Sequence, residues 1–206
     1  MNLNFKDLDR KLMILFGLWI MLVSCSPNNP KVLIETDLGS ITVELYQKRA
    51  PVTTANFMRY VLEERYTGAT FYRVVTPENQ PNSTAKIDVI QGGLYEDNPP
   101  FGLPPIPHES TDETGIFHKD GVISMARYEP GTATFEFFIC VGDQPSLDYG
   151  GGRNPDNQGF AAFGCVIEGM EVVRKIQRQP EKDQFLEPRV EIKRMVVLNK
   201  SKVLNQ

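Results

Sequence analysis

Few side chains in this 206-residue chain are of the kinds that make and break covalent bonds, and none is spaced for it. His108 and His118 have no cysteine or second histidine at ligand spacing, so a zinc centre has no donor set. Ser124 and Ser146 lack the Gly-x-Ser-x-Gly turn that exposes a hydrolytic nucleophile. Gly150-Gly151-Gly152-Arg153 lacks the Gly-Lys-Ser/Thr of a phosphate loop and reads as a flexible hairpin tip. Cys140 and Cys165 lie in separate apolar runs and read as two buried thiols packing as small apolar groups. Arginine side chains, by contrast, offer several N–H donors in a rigid fork and keep their charge at any working pH.

The elements that would carry such a donor are mostly strands. Lys31 to Tyr46 alternates around Asp37-Leu38-Gly39-Ser40, which predicts an opening β-hairpin. Pro51, with Thr53 and Thr54 as N-caps, predicts a helix through Glu64 that presents Phe57, Tyr60 and Val61 on one face. Strand-like runs follow at Thr70–Val75, Ile87–Gln91, Gly121–Ala126, Phe137–Val141, Ala161–Ile167 and Val190–Leu198. A second helix fits Met170–Ile176, after Gly169. Many short strands with two helices predict a mainly β fold, an antiparallel sheet closed into a barrel with helices over its ends. Three long connections stand apart, Thr76–Lys86, Leu94–Lys119 and Asp143–Gly159, and loops of that length in a compact domain are usually functional or mobile.

The N-terminus reads as a targeting segment. Lys6, Arg10 and Lys11 precede an apolar run from Leu12 to Val23 that is short for a membrane span, and Leu22-Val23-Ser24-Cys25 has the pattern of a lipobox. The expectation is a signal peptide at 1–24, removed, with Cys25 carrying lipid and 25–31 acting as a tether. Residues 32–200 form the domain and 201–206 a tail. Removal of 1–24 leaves 182 residues, takes three basic and two acidic side chains, and moves the net charge from −4 to −5. No basic stripe survives, so nucleic acid is excluded as a partner.

Several blocks in order carry a resemblance: Phe71-Tyr72-Arg73-Val74-Val75, Ile90-Gln91-Gly92-Gly93, Gly121-Val-Ile-Ser-Met-Ala-Arg127, Glu136-Phe137-Phe138-Ile139-Cys140, Phe163-Gly164 and Glu168-Gly169-Met170. From Val32 to about Leu198 the chain resembles the cyclophilin peptidyl-prolyl isomerases, in the form of a bacterial lipoprotein. The resemblance implies a closed eight-stranded antiparallel barrel capped by two helices, and rotation of X-Pro peptide bonds without cofactor or metal. It implies that Arg73 is the catalytic donor, that Gln91 orients it, and that Phe138 floors a proline pocket walled by Ala126 and Leu147. Substrate contacts are also implied at Arg127, where eukaryotic members have asparagine, at Glu136, where glutamine is usual, and at Phe160, where histidine is usual. Ser146 occupies the place of a tryptophan that binds cyclosporin in many members. Glu136 is expected to pair with Arg73, and Asp88 stands where an apolar wall is usual. The implied partners are proline-containing peptides and unfolded exported proteins, met by a monomer anchored through lipid to a bacterial membrane on the periplasmic side. A rival reading on the same fold is a catalytically weak peptide-binding or chaperone lipoprotein.

Overall fold

The computed structural model describes residues 29–95 and 102–198; the expected signal peptide, Cys25 and the tail beyond residue 198 lie outside them. Strands β1 (Lys31–Thr36) and β2 (Gly39–Leu45) form the opening hairpin, followed by helix α1 (Pro51–Leu62), β3 (Thr70–Val75) and β4 (Val89–Gly93). A short helix α2 (Thr111–Thr114) interrupts the second long connection. It leads to β5 (Val122–Met125), β6 (Phe137–Cys140), β7 (Ala161–Glu168), α3 (Met170–Gln177), β8 (Glu181–Lys182) and β9 (Phe185–Val197). The hydrogen-bonded order is β1-β2-β7-β5-β6-β4-β3-β9, and β1 pairs back onto β9 to close an eight-stranded barrel. Every pairing is antiparallel. The two-residue β8 hangs on the start of β9 as an extra hairpin arm. Closure leaves those eight strands without a free edge.

Alternation builds the core. Val32 and Ile34 of β1 and Ile41, Val43 and Leu45 of β2 are fully buried, as is Phe57 on α1. The Phe57 ring packs 5.2–5.6 Å from Phe163, Tyr66 and Phe137. Each such side chain contributes roughly 1.5–3 kcal/mol by leaving water. α1 packs on β9 and β7, and α3 on β2, β4 and β3.

Helix boundaries differ from expectation in instructive ways. Pro51 opens α1 at its first turn, where a missing N–H costs nothing, and neither Thr53 nor Thr54 is the N-cap. The Glu109 carboxylate comes from far along the chain instead, accepting from the Val52 and Thr53 amides at 3.1 and 2.7 Å and from the Thr53 hydroxyl at 2.6 Å. A carboxylate there satisfies orphan donors and favours the helix dipole. α1 ends at Leu62, before Glu64, which takes a left-handed turn at φ 54°. α2, a third helix where two were expected, is held by a reciprocal box in which the Ser110 hydroxyl accepts from the Glu113 amide and the Glu113 carboxylate from the Ser110 amide.

A second, smaller apolar cluster lies outside the barrel core. It comprises Val75, Ile87, Val89, Phe138, Cys140 and Leu147, with Ala126 and Phe160 packed against it. Cys140 is buried and Cys165 half-buried, both as free thiols.

Candidate functional site

Sheet register, more than any loop, brings the site together. Phe138 on β6 lies opposite Gln91 on β4, and Gln91 lies opposite Arg73 on β3. Directly paired residues share one face of a sheet. Phe138 belongs to the outer cluster while its neighbours Phe137 and Ile139 belong to the core, so the whole row faces outward. At about 4.8 Å per strand, Arg73 stands roughly 10 Å from the Phe138 position, within reach of an arginine side chain laid across the row.

Arg73 reaches that face only because β3 is irregular. The register slips between Phe71 and Arg73, with three β3 residues spanning two on β4. Phe71 points into the core, and the extra residue turns both Tyr72 and Arg73 outward before Val74 returns to the core.

The guanidinium is held on two sides. Its Nη1 donates to Gln91 Oε1 at 3.0 Å, while Nε and Nη2 donate to Gln184 Oε1 at 3.1 and 2.5 Å. Burial lowers its pKa from the ordinary value, and the nearby charge of Arg153 adds to that. A hydrogen-bond chain continues from Gln91. Its Nε2 donates to the Tyr72 hydroxyl at 2.5 Å, and that hydroxyl donates to Glu136 Oε2 at 2.5 Å. Glu136 Oε1 accepts from the Tyr95 amide at 3.0 Å. Burial raises the Glu136 pKa, offset in part by the Tyr72 hydroxyl; burial and then the Glu136 charge raise that of Tyr72. Gly93 makes room for this carboxylate, since a Cβ there would overlap it. Glu136 therefore does not pair with Arg73 as expected: two intervening side chains, Gln91 and Tyr72, separate them.

Phe138 is the floor of the apolar part. Phe160 meets it edge-on with centroids 5.3 Å apart, and His118 stacks beneath it at 5.8 Å and 18°. His118 is itself fixed at both nitrogens, by Asp148 Oδ1 at 2.7 Å and Ser124 Oγ at 3.0 Å. Leu147 and Ala126 flank the ring, and Val89 with Ile87 complete the wall. Asp88 stands apart from it: its carboxylate accepts from Gln177 on α3 at 2.5 Å, burial raises its pKa, and the next residue, Val89, supplies the apolar surface.

Arg127 corrects another expectation. Its five N–H groups are all engaged, by Asp156 through Nη1 and Nη2 at 2.8 and 2.9 Å, by the Gly159 carbonyl through Nε and Nη2, and by the Tyr128 carbonyl. The guanidinium also covers Phe160, 5.3 Å from its ring centroid. Its side chain has no donor left for a substrate backbone and instead braces the third long loop. Arg153 ties that loop to the first, through Gln80 Oε1, Ser83 Oγ and the Ala85 carbonyl at 2.8–2.9 Å.

The structure thus gathers Arg73, Gln91, Phe138, Ala126, Leu147 and Phe160 on one outer face, puts Glu136 behind them, and turns the Arg127 side chain away. Gln184, His118, Val89 and Ile87 also belong to this face, brought there by pairing and contacts that local sequence does not show. A type of residue suited to sharp turns, Asp183, precedes Gln184 and was the one available signal. Among the described residues no group of three or more His, Cys, Asp or Glu side chains is placed to hold a metal ion.

Comparison with known proteins is consistent over most of the chain. The family model described as cyclophilin type peptidyl-prolyl cis-trans isomerase/CLD matches residues 31–197. A peptidyl-prolyl cis-trans isomerase of Acinetobacter baylyi is 36% identical over 174 residues, covering 84% of each chain. Peptidyl-prolyl cis-trans isomerase A of Dickeya dadantii is 36% identical over 150 residues, covering 71% of this chain and 70% of that one. A solved cyclophilin-type isomerase of Cryptosporidium parvum, determined in the presence of the dipeptide Ala-Pro, superposes with a TM-score of 0.65 at 22% identity, covering 82% of this chain and 99% of that one.

Proposed function

The chain belongs to the cyclophilin-type peptidyl-prolyl cis-trans isomerases, and from that premise we propose that Arg73 and the Phe138 floor are where it works and that its clients are exported proteins. It is a peptidyl-prolyl cis-trans isomerase, and proline-containing peptides are its substrates.

The amide C–N bond resists rotation by about 18–20 kcal/mol because the nitrogen lone pair is delocalised into the carbonyl. Rotation is eased by stabilising the twisted amide, which needs a donor beside the bond and a hold on the proline ring. Phe138, walled by Val89, Leu147 and Ala126, is the hold: a flat apolar surface that fixes the ring while the preceding residue turns. Arg73 is the donor. Three of its five N–H groups are taken by Gln91 and Gln184, which leaves one on Nη1 and one on Nη2 for the peptide. No bond is made or broken and no proton moves, so the chain needs only to hold these groups in place. A barrier lowered by roughly 7 kcal/mol speeds rotation about 10⁵-fold.

The observation that carries the reading is the register row Phe138–Gln91–Arg73 on the outer face. In a protease-coupled assay on the purified protein, Arg73→Ala is expected to remove most of the acceleration while leaving the circular dichroism spectrum unchanged. Native turnover in a folded Arg73→Ala protein would refute the assignment.

The exported role and membrane anchorage rest on the N-terminal pattern, with Cys25 as the lipidated residue, and closure of the barrel, which leaves its strands no free edge to pair with a second copy, supports a monomer. Radiolabelled fatty acid should enter the native protein and not Cys25→Ser; equal labelling of both would end the lipoprotein reading.

A further inference from the structure

We propose that Gln184, at the tip of the β8–β9 hairpin, is a positioning residue for Arg73. It grips the Nε and Nη2 side of the guanidinium and so aims the remaining N–H groups at the substrate. This rests on Arg73 being the catalytic donor.

The grip is built in layers. Arg73 lies opposite Phe185 across β3 and β9, which puts the preceding residue beside the guanidinium. Gln184 Oε1 accepts from Nε at 3.1 Å and from Nη2 at 2.5 Å. Its amide orientation is settled by Nε2, which donates to the Asn79 carbonyl at 2.9 Å and so turns the oxygen toward Arg73. The backbone is fixed as well: the Gln184 carbonyl accepts from the Val74 amide at 2.8 Å, and the Gln184 amide donates to Glu181 Oε2 at 2.6 Å. Glu181 Oε1 in turn accepts from Asn79 Nδ2 at 3.3 Å. Gln91 alone would fix one nitrogen and leave the fork free to pivot about it. Two acceptors on different sides stop that rotation.

The hairpin accepts strain to do this. Asp183 and Gln184 sit at φ 52° and 74°, the left-handed region where glycine or asparagine is easier. A long side chain held there by three hydrogen bonds of its own, two of them from Arg73, points to a functional demand on the residue type.

The test compares two variants that suit the left-handed backbone with one that is nearly isosteric with the native side chain. Gln184→Gly removes the acceptor, Gln184→Asn draws it back by one methylene, and Gln184→Glu keeps an oxygen for Arg73 while losing the donor to Asn79. Activity on an X-Pro peptide is expected to fall on the order of tenfold for the first two and to stay within about threefold of native for Gln184→Glu. The ¹⁵N signal of Arg73 Nε–H, protected from solvent exchange in the native protein, should lose protection in Gln184→Gly and keep it in Gln184→Glu. In an Arg73→Ala background, Gln184→Gly should slow the enzyme no further, because its only route to the substrate is through that arginine. Native activity in folded Gln184→Gly and Gln184→Asn, no rescue by Gln184→Glu, or a further loss in the double variant would each overturn the proposal. If Arg73→Ala is itself fully active, the Arg73 assignment fails and the positioning role with it. If Arg73→Ala is inactive and Gln184→Gly is not, the positioning role alone fails.

Discussion

Replacing Tyr72 with phenylalanine removes one oxygen from the middle of the chain Gln91–Tyr72–Glu136 and leaves both neighbours short of a partner. Tyr72 is 6% exposed, so water cannot readily take the place of the hydroxyl. The bond to Glu136 Oε2, at 2.5 Å, is charge-assisted, worth about 1.5–3 kcal/mol; the Gln91 amide, also at 2.5 Å, loses an acceptor worth about 0.5–1.5 kcal/mol. The variant should therefore be roughly 2–4 kcal/mol less stable, and the deficit should depend on pH. Burial raises the Glu136 pKa in the folded protein and the Tyr72 bond opposes that rise. A carboxylate with a raised folded pKa contributes stability at low pH, where it is protonated, and loses it as pH rises through that folded pKa. Without Tyr72 the folded pKa climbs further, so the loss at neutral pH is larger, while near pH 4 the deficit narrows toward the pH-independent share of the lost Gln91 bond. Urea denaturation of native and Tyr72→Phe proteins at pH 4 and pH 8 measures this. An equal deficit at both values, or one under about 0.5 kcal/mol at pH 8, would refute the account of Glu136 as a buried, Tyr72-stabilised carboxylate.

Because Gln91 and Tyr72 stand between Glu136 and Arg73, Glu136→Gln should alter turnover less than about tenfold; a hundredfold rise in the coupled assay would make the carboxylate a brake. Cyclosporin should bind poorly, since Ser146 offers no large apolar face and Phe160 stands where histidine is usual, and nanomolar inhibition would contradict this. Asp156, held near pKa 2 chiefly by hydrogen bonds from Arg127, contributes stability above its unfolded value of 3.8 and loses it as pH falls toward 2. Asp156→Asn should accordingly be less stable than native at pH 7, with the gap in melting temperature closing in acid; a constant gap would show that charge is not what the pair supplies.

Alternation placed the opening hairpin, and strand-like apolar runs placed most other strands within two residues of their ends, because both signals are local; β9 alone begins five residues early, at Phe185. Alternation could not place Arg73 on the outer face: Phe71 and Arg73 have the spacing of residues on the same side, and only the bulge at Tyr72 reverses one of them. The partners of charged groups were equally hidden, since they come from distant chain. Glu109 caps α1, Gln177 takes Asp88 away from the pocket, Asp156 occupies Arg127, and Gln184 reaches Arg73 from over a hundred residues on. Phe138, Ala126 and Leu147, which would each pass for core residues singly, separate from the barrel core into a cluster of their own once cross-strand pairing is known. The His118 ring was legible as a lone histidine and nothing more, for its stacking beneath Phe138 depends on Asp148 and Ser124 holding both nitrogens.

β6 has a consequence for motion. Its four residues are divided alternately between the barrel core, at Phe137 and Ile139, and the pocket cluster, at Phe138 and Cys140, and it is hydrogen-bonded on both sides, to β4 and β5. The proposed proline floor is thus the reverse side of the strand that holds the barrel together, and it cannot give way unless the barrel does. Its amides should exchange with deuterated solvent only through global opening, as slowly as any in the protein. Whatever adjusts to accept both proline isomers must then be side chains and the flanking loops, playing against an anvil that does not move.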